Sequence, residues 1–258
     1  MNWLSIERLL AAITAAGGTI PADITALVAT RTAVENWNPP PSSTLEDIVA
    51  RGELTATNAD KILDAALIQP NRQPSDLKLI AETALTKRTR TLIRDTAADD
   101  IIASLQPIHA EAIDTMVKAS QVIGTTTSAE EALEIDGGVK AWRDLATARA
   151  TLDRIDTIVE TLYTDFGTLG SRNPQLDIPR LRYIVNYANG IDAPLHALGE
   201  VLNNHRTRAR GGRWHHAPAL LHLNTPTQAR EILDHHRQIA QEIADADYAR
   251  THGTLTAS

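Results

Sequence analysis

From Val139 to Phe166 the apolar side chains Trp142, Leu145, Ala148, Leu152, Ile155, Val159, Leu162 and Phe166 recur at steps of three and four residues. An α-helix turns once every 3.6 residues, so this spacing gathers them into one stripe. A strand, with its period of two, would scatter them over both faces. The stretch is about 42 Å long at about 1.5 Å per residue. A stripe of that length cannot be buried by its own helix and calls for a second long helix beside it.

The stretch ending before Gly124 supplies that helix. Ile101, Leu105, Ile108, Ala112, Met116, Ala119 and Ile123 repeat the same steps. A turn at Thr125–Thr127 and a short helix opened by Ser128 with Glu131, closed by Gly137 and Gly138, join the two. So short a connection predicts antiparallel neighbours. The expected fold class is therefore all-α, a long antiparallel helical hairpin over 75–166, coiled-coil-like, with flanking short helices and no sheet. Its interface is read as Ile101, Leu105, Ile108, Met116, Trp142, Leu145, Leu152, Ile155, Val159, Leu162 and Phe166. Pro107 has no N–H to donate to the carbonyl of Ala103, so a kink or break is expected there. Lys87, Arg88, Arg90 and Arg94 on the first arm are expected to face Asp153, Asp156, Glu160 and Asp165 on the second.

Composition agrees with extended helix packing. Aromatic residues are only 3% of the chain, with a single Phe, so the core must come from Leu, Ile, Val and Ala. The absence of cysteine excludes disulfides, Cys-ligated zinc and thiol catalysis. No run of 18 apolar residues occurs, and no basic stretch followed by an apolar one opens the sequence. Neither a membrane span nor a signal peptide is expected, and the location read from this is cytoplasmic (host cytoplasm, or a virion).

Around the hairpin the chain divides by its prolines and glycines. Residues 1–37 read as an N-terminal helical pair, stopped by Gly17-Gly18 and reopened by Pro21. Residues 38–74 read as a linker, Asn38-Pro39-Pro40-Pro41, followed by short helices over 44–51 and 58–69. Residues 175–252 form a C-terminal helical region. In it, Asp177 and Asp192 start helices, and Thr225-Pro226 with Gln228 opens a final one. Its seam is Ala229, Ile232, Leu233, His236, Ile239, Ile243 and Ala246.

The candidate binding residues fall in one basic loop, 205–216: Arg206, Arg208, Arg210, Arg213, Trp214, His215 and His216. Four guanidinium groups could grip phosphates, with Trp214 a stacking surface for a base, or they could dock on an acidic protein. The third reading is a solvated loop anchored by Trp214. A net charge of −7 and a pI near 5.7 weigh against a general nucleic-acid coat. Eight of nine histidines follow residue 195. His196 with Glu200, and Glu231 with His235, have helical i, i+4 spacing, but neither makes a metal motif, so no metal or other cofactor is expected.

Two resemblances bear on function. Arg210-Gly-Gly-Arg-Trp-His215 and Arg230-Glu-Ile-Leu-Asp-His235 carry the Arg-x4–6-His spacing, and an all-α chain with it resembles the HEPN ribonucleases. That resemblance implies an Arg and a His cleaving RNA across a dimer. It covers six residues, and roughly two such spacings arise by chance in a chain this rich in Arg and His. In layout, an acidic helical chain with a basic patch near its C-terminal end is similar to the scaffolding and accessory structural proteins of tailed bacteriophages. That similarity implies a helical, oligomeric assembly protein that touches its partner through basic residues. No phosphate-binding glycine loop, Gly-x-Ser-x-Gly or His-Glu-x-x-His occurs, so no catalytic residue is assigned. The expected function is a non-enzymatic structural, assembly or protein-interaction role, with a protein partner or a second copy. A nucleic-acid-binding regulator using 205–216 is the alternative, and a HEPN-like RNase a more distant one.

Overall fold

In the computed structural model, Trp3–Ala15 forms the first helix, α1, because Asn2 caps it: its side-chain oxygen accepts from the backbone N–H of Ser5. The structure describes residues 2–37, 52–53, 55, 57–61, 74–124, 128–170, 183–203, 209–215 and 218–253. After α1 come α2 (Ala22–Asn36), α3 (Pro74–Leu92), a π turn (Ile93–Ala97) and α4 (Ala98–Ile123). Then follow α5 (Ala129–Leu133), α6 (Gly138–Thr161) and a second π turn (Leu162–Phe166). A 3-10 turn (Val185–Tyr187), α7 (Leu195–Leu202), 3-10 turns at Gly212–His215 and Pro218–Leu220, and α8 (Pro226–Gly253) complete the order. The fold is all-α. Among the described residues there is no strand, and Ala188 and Leu221 form one isolated antiparallel bridge. The proline linker at 38–41, the short helices at 44–51 and most of 58–69, and the start at Asp177 lie outside the described residues.

The chain divides into two compact units, residues 1–21 with 90–258, and residues 22–89. The first division falls between Pro21 and Ala22, inside the pair predicted for 1–37. The cause is packing. In the larger unit α1 buries Trp3, Ile6, Leu9 and Ile13 and rests on α6, where the Arg154 guanidinium donates to the carbonyl of Ala15 at 3.2 Å. Gly17 takes a φ of +84°, and a Cβ on Gly18 would stand 2.8 Å from a Leu105 methyl, so only glycine lets the chain turn this close to α4. Thr19 N–H then donates to Ser104 Oγ at 2.9 Å.

The larger unit is organised by α4 against α6. Gly137 lies beside Val122, at the start of α6 and the end of α4, while at the other end Arg90 reaches the carbonyl of Asp165 and the two π turns touch. The two helices therefore run antiparallel. Their shared seam is Ile101, Leu105, Ala112, Met116, Ala119 and Ile123 from α4, with Leu145, Ala148, Leu152, Ile155 and Val159 from α6; Leu162 and Phe166 follow in the π turn. Two predicted members are displaced. Ala141, 4% exposed, takes the position assigned to Trp142, which is only half-buried; the small residue lets the ends approach. Ile108 is half-buried and reaches Gly17 instead, while its neighbour His109 enters the core.

The predicted irregularity is displaced as well. α4 passes through Pro107 without a break. Pro107 lies on the exposed side, where the carbonyl deprived of its helical donor can turn to water. The irregularity falls at 93–97, where a π turn adds a residue and re-phases the helix so that Ile93, Ala97, Ala98, Ile101 and Ile102 are all buried. The polar gap at Thr86–Arg90 lies just before it.

In the smaller unit α2 buries Ile24 and Leu27, and Lys78 of α3 donates to the carbonyl of Glu35 at 2.8 Å. Leu77, Leu79 and Ile80 of α3 are exposed.

Candidate functional site

Asp153 and Asp156 sit one turn apart on α6, at the edge of the seam, and the predicted basic arm does not meet them. Arg94 pairs with its neighbour Asp95 instead. Both carboxylates are bonded by residues of the predicted basic loop, and Asp153 also pairs with Arg149 at 3.4 Å. Arg213 donates to Asp156 Oδ2, and the hydroxyls of Tyr183 and Tyr187 both donate to Oδ1, that of Tyr187 at 2.6 Å. The indole N–H of Trp214 donates to Asp153 Oδ1 at 2.7 Å.

Asp156 is 7% exposed, so its charge is matched by a cation and two hydroxyls where water is scarce. Burial, and then the Asp156 charge, push the Tyr183 and Tyr187 phenols far above their ordinary range, so both remain proton donors. Burial works against charge on Arg213, yet Asp156 together with Tyr183 and Tyr187 outweighs it and holds the guanidinium above its ordinary pKa. The Arg213 guanidinium lies 4.5 Å from the Trp214 ring centre, and the edge of Tyr187 meets the same indole at 5.6 Å.

Trp214 is wholly buried. It offers no open face to a base, which corrects its reading as a stacking surface. The rest of the described segment is likewise held by the fold. Arg210 lies over the Trp142 ring at 5.2 Å. His215 Nε2 is 3.1 Å from the carbonyl of Gly124 and Nδ1 is 3.3 Å from Ser120 Oγ, so the ring closes the C-terminal end of α4. A carbonyl only accepts, so Nε2 carries the proton. Arg206, Arg208 and His216 lie outside the described residues.

The backbone that carries the tyrosines is fixed by Asn224, whose side-chain amide donates to the carbonyls of Val185 and Ala188 at 2.8 and 2.7 Å. His222 N–H donates to the Tyr187 carbonyl at 3.1 Å. His109 stacks on Tyr187 with ring centres 6.1 Å apart. Burial first, and His222 second, depress its pKa to about 4. It borders a cavity of about 320 Å³ with Ile113, Leu221 and His222.

The remaining histidine readings resolve into local contacts. His196 and Glu200 approach to 3.9 Å on the exposed face of α7. His235 Nε2 is 3.6 Å from Asp192. Among the described residues no three His, Asp or Glu side chains gather as a metal set. Arg230 turns back to the Pro226 carbonyl and the Thr227 hydroxyl.

The last helix is legible in the sequence as an element, but nothing in the sequence marks it as a candidate site. The box at its start forms as read: Thr225 N–H donates to Gln228 Oε1 at 2.9 Å and Gln228 N–H to Thr225 Oγ1 at 3.3 Å. Asp99 of α4 accepts from the Thr227 N–H and hydroxyl. Ala229, Ile232 and Leu233 are buried, and α8 rests there on α4 and the 185–187 turn. From Gln238 to Tyr248 every side chain is exposed, including Ile239 at 37% and Ile243 at 59%. The predicted seam therefore runs into solvent halfway along the helix.

Compared with protein-family models, curated proteins and solved structures, the chain matches none. Among the described residues no helix is long and apolar enough to cross a membrane.

Proposed function

We propose that the chain is a non-enzymatic helical interaction protein that receives another helix along the second half of α8. The observation that supports this is the continuation of an apolar seam beyond the body that it packs. Ala229, Ile232 and Leu233 stabilise the fold, and Ile239 and Ile243 repeat their spacing at 37% and 59% exposure. Extending a helix already nucleated at 226 requires no apolar side chain, and β-branched isoleucine is a poorer helix former than the alanine around it. Exposed isoleucines in phase with a seam suit a partner.

The described part of the basic segment, 209–215, supports this reading by being occupied. With Arg213 and Trp214 committed to α6, it is a clasp within the fold. A nucleic-acid role would rest on Arg210 and on residues outside those described. The finer proposal is an assembly or scaffolding role of the kind found in tailed bacteriophages, in the host cytoplasm or in a virion.

The reading is tested by placing a photo-crosslinking benzoylphenylalanine at Ile243, and as a control at Gln241 on the opposite face, in the full chain produced in its native cells. Discrete adducts at 243 that are absent at 241 are expected. Equal adducts at the two positions, or none at either, would overturn it. Genes for coat, portal or terminase proteins alongside would support the phage assignment, and a metabolic operon would count against it.

A further inference from the structure

We infer that the helix received by α8 is a basic amphipathic one, with an apolar stripe bordered by Lys or Arg, belonging to another protein and not to a second copy of this chain. The inference rests on the docking role proposed above and adds the chemistry of the partner.

It comes from what borders the stripe. With 100° between successive residues, His236, Ile239, Ile243 and Ala246 share one face of α8. Glu242 then lies along one edge and Asp247 along the other. Asp245 lies further round, and Arg250 ends the stripe. Between Gln238 and Arg250 there are three carboxylates and one guanidinium. That guanidinium is turned onto Asp247, at 3.2 Å. Glu242 and Asp245 are engaged only by uncharged amides, those of Gln238 at 2.9 Å and Gln241 at 2.7 Å. The docking face therefore presents a short apolar stripe with the Glu242 carboxylate along one edge and the Asp247–Arg250 ion pair along the other.

A second copy fits this face poorly. Parallel pairing in register would set Glu242 of one copy toward Asp247 of the other. Antiparallel pairing that places Ile239 opposite Ile243 would bring the two Glu242 side chains together across the axis. Residues bordering a helical seam select partner and orientation through charge, and like charges there oppose association. The whole chain, at −7, adds to the repulsion. A helix with Lys or Arg beside its apolar stripe meets the Glu242 edge favourably and covers Ile239 and Ile243 in the helix-on-helix mode of peptide recognition.

The test is a fluorescence-anisotropy titration of the full chain with synthetic 18-residue helical peptides. One carries a leucine stripe bordered by lysine, one the same residues scrambled, and one the stripe bordered by glutamate. The lysine peptide is expected to bind at least tenfold tighter than either control. Ile239→Ser with Ile243→Ser should weaken it at least tenfold, and Glu242→Gln with Asp247→Asn several-fold, with a shallower dependence on salt. All four residues are exposed, and circular dichroism would verify that the variants remain helical. Equal binding of the scrambled peptide, or no effect of either variant pair, would overturn the inference. Tighter binding of the glutamate peptide would overturn the charge argument while leaving α8 a docking surface. Concentration-dependent dimers by light scattering, abolished by the isoleucine variants, would overturn it in favour of a second copy. No binding of any peptide, together with absent crosslinks at 243, would remove the docking role itself.

Discussion

Arg213 of the basic segment and Asp156 of α6 form an ion pair in which both side chains are almost withdrawn from water, 14% and 11% exposed. The pair fastens 209–215 to the long helices, and the two tyrosine hydroxyls complete the coordination of the carboxylate. A pair of this kind is a weak source of net stability when intact, but losing one member leaves a buried charge without a partner.

Arg213→Ala is therefore expected to destabilise the larger unit by about 3–5 kcal/mol. Urea denaturation would show the midpoint falling. Asp156→Asn should cost a similar amount: the amide oxygen still accepts from the tyrosines, but the Arg213 guanidinium is left without a counter-charge and faces the amide N–H. A change below about 0.5 kcal/mol for Arg213→Ala would show that the clasp does not form.

His109 gives a pH dependence. Its folded pKa, about 4, lies below the ordinary 6.5 because the ring is buried. As pH falls below about 6.5 the unfolded chain takes up a proton at this site that the folded chain refuses until about pH 4. The stability present at neutral pH is thus lost through that window, by up to about 3 kcal/mol from this one group. His109→Phe keeps a ring against Tyr187 and should flatten the difference between pH 7 and pH 4.5. An identical pH slope in wild type and variant would refute the assignment.

Pro107 sits in the interior of α4 on its exposed side. Pro107→Ala restores a helical N–H and removes the ring, so it should stabilise by about 1–3 kcal/mol, less whatever the unfolded chain gains in freedom. Thermal unfolding would show a raised midpoint. A lowered one would mean that the proline shapes α4 in a way its neighbours need.

Ile243→Ser should leave stability within about 0.5 kcal/mol of wild type, since that side chain is mostly in water, while Ile239→Ser, at a side chain partly covered, should cost about 1 kcal/mol. Chemical denaturation checks this directly. A loss above about 2 kcal/mol would show that the helix end packs within the chain.

Much of the frame was legible because helical periodicity is a local property. The stripe from Leu145 to Phe166 and its mate from Ile101 to Ile123 could be read in order, as could the caps at Ser128 and Thr225. Local reading failed where two choices satisfy the same period. Trp142 and Ala141 both fit the end of the seam, and only the approach of the helices selects the smaller. Ile108 and His109 pose the same choice, settled by the position of Tyr187, far away in sequence. The surroundings of Arg213 and Trp214 in the basic segment were not legible, because charge density says nothing of what faces it. Asp153 and Asp156 lie more than fifty residues away and meet it only after α6 is packed.

The sequence by itself determined that this is a chain of helices, where two of the longest begin and end, and which stripe each must bury, because hydrogen bonding and apolar spacing within a helix are set by near neighbours. Only the tertiary structure decided that α1 joins the long helices while α2 belongs to the other unit, that Arg213 and Trp214 are anchors, and that the seam of α8 outruns its support at Gln238. Those outcomes depend on which surfaces meet, and burial is a property of the meeting, not of the segment.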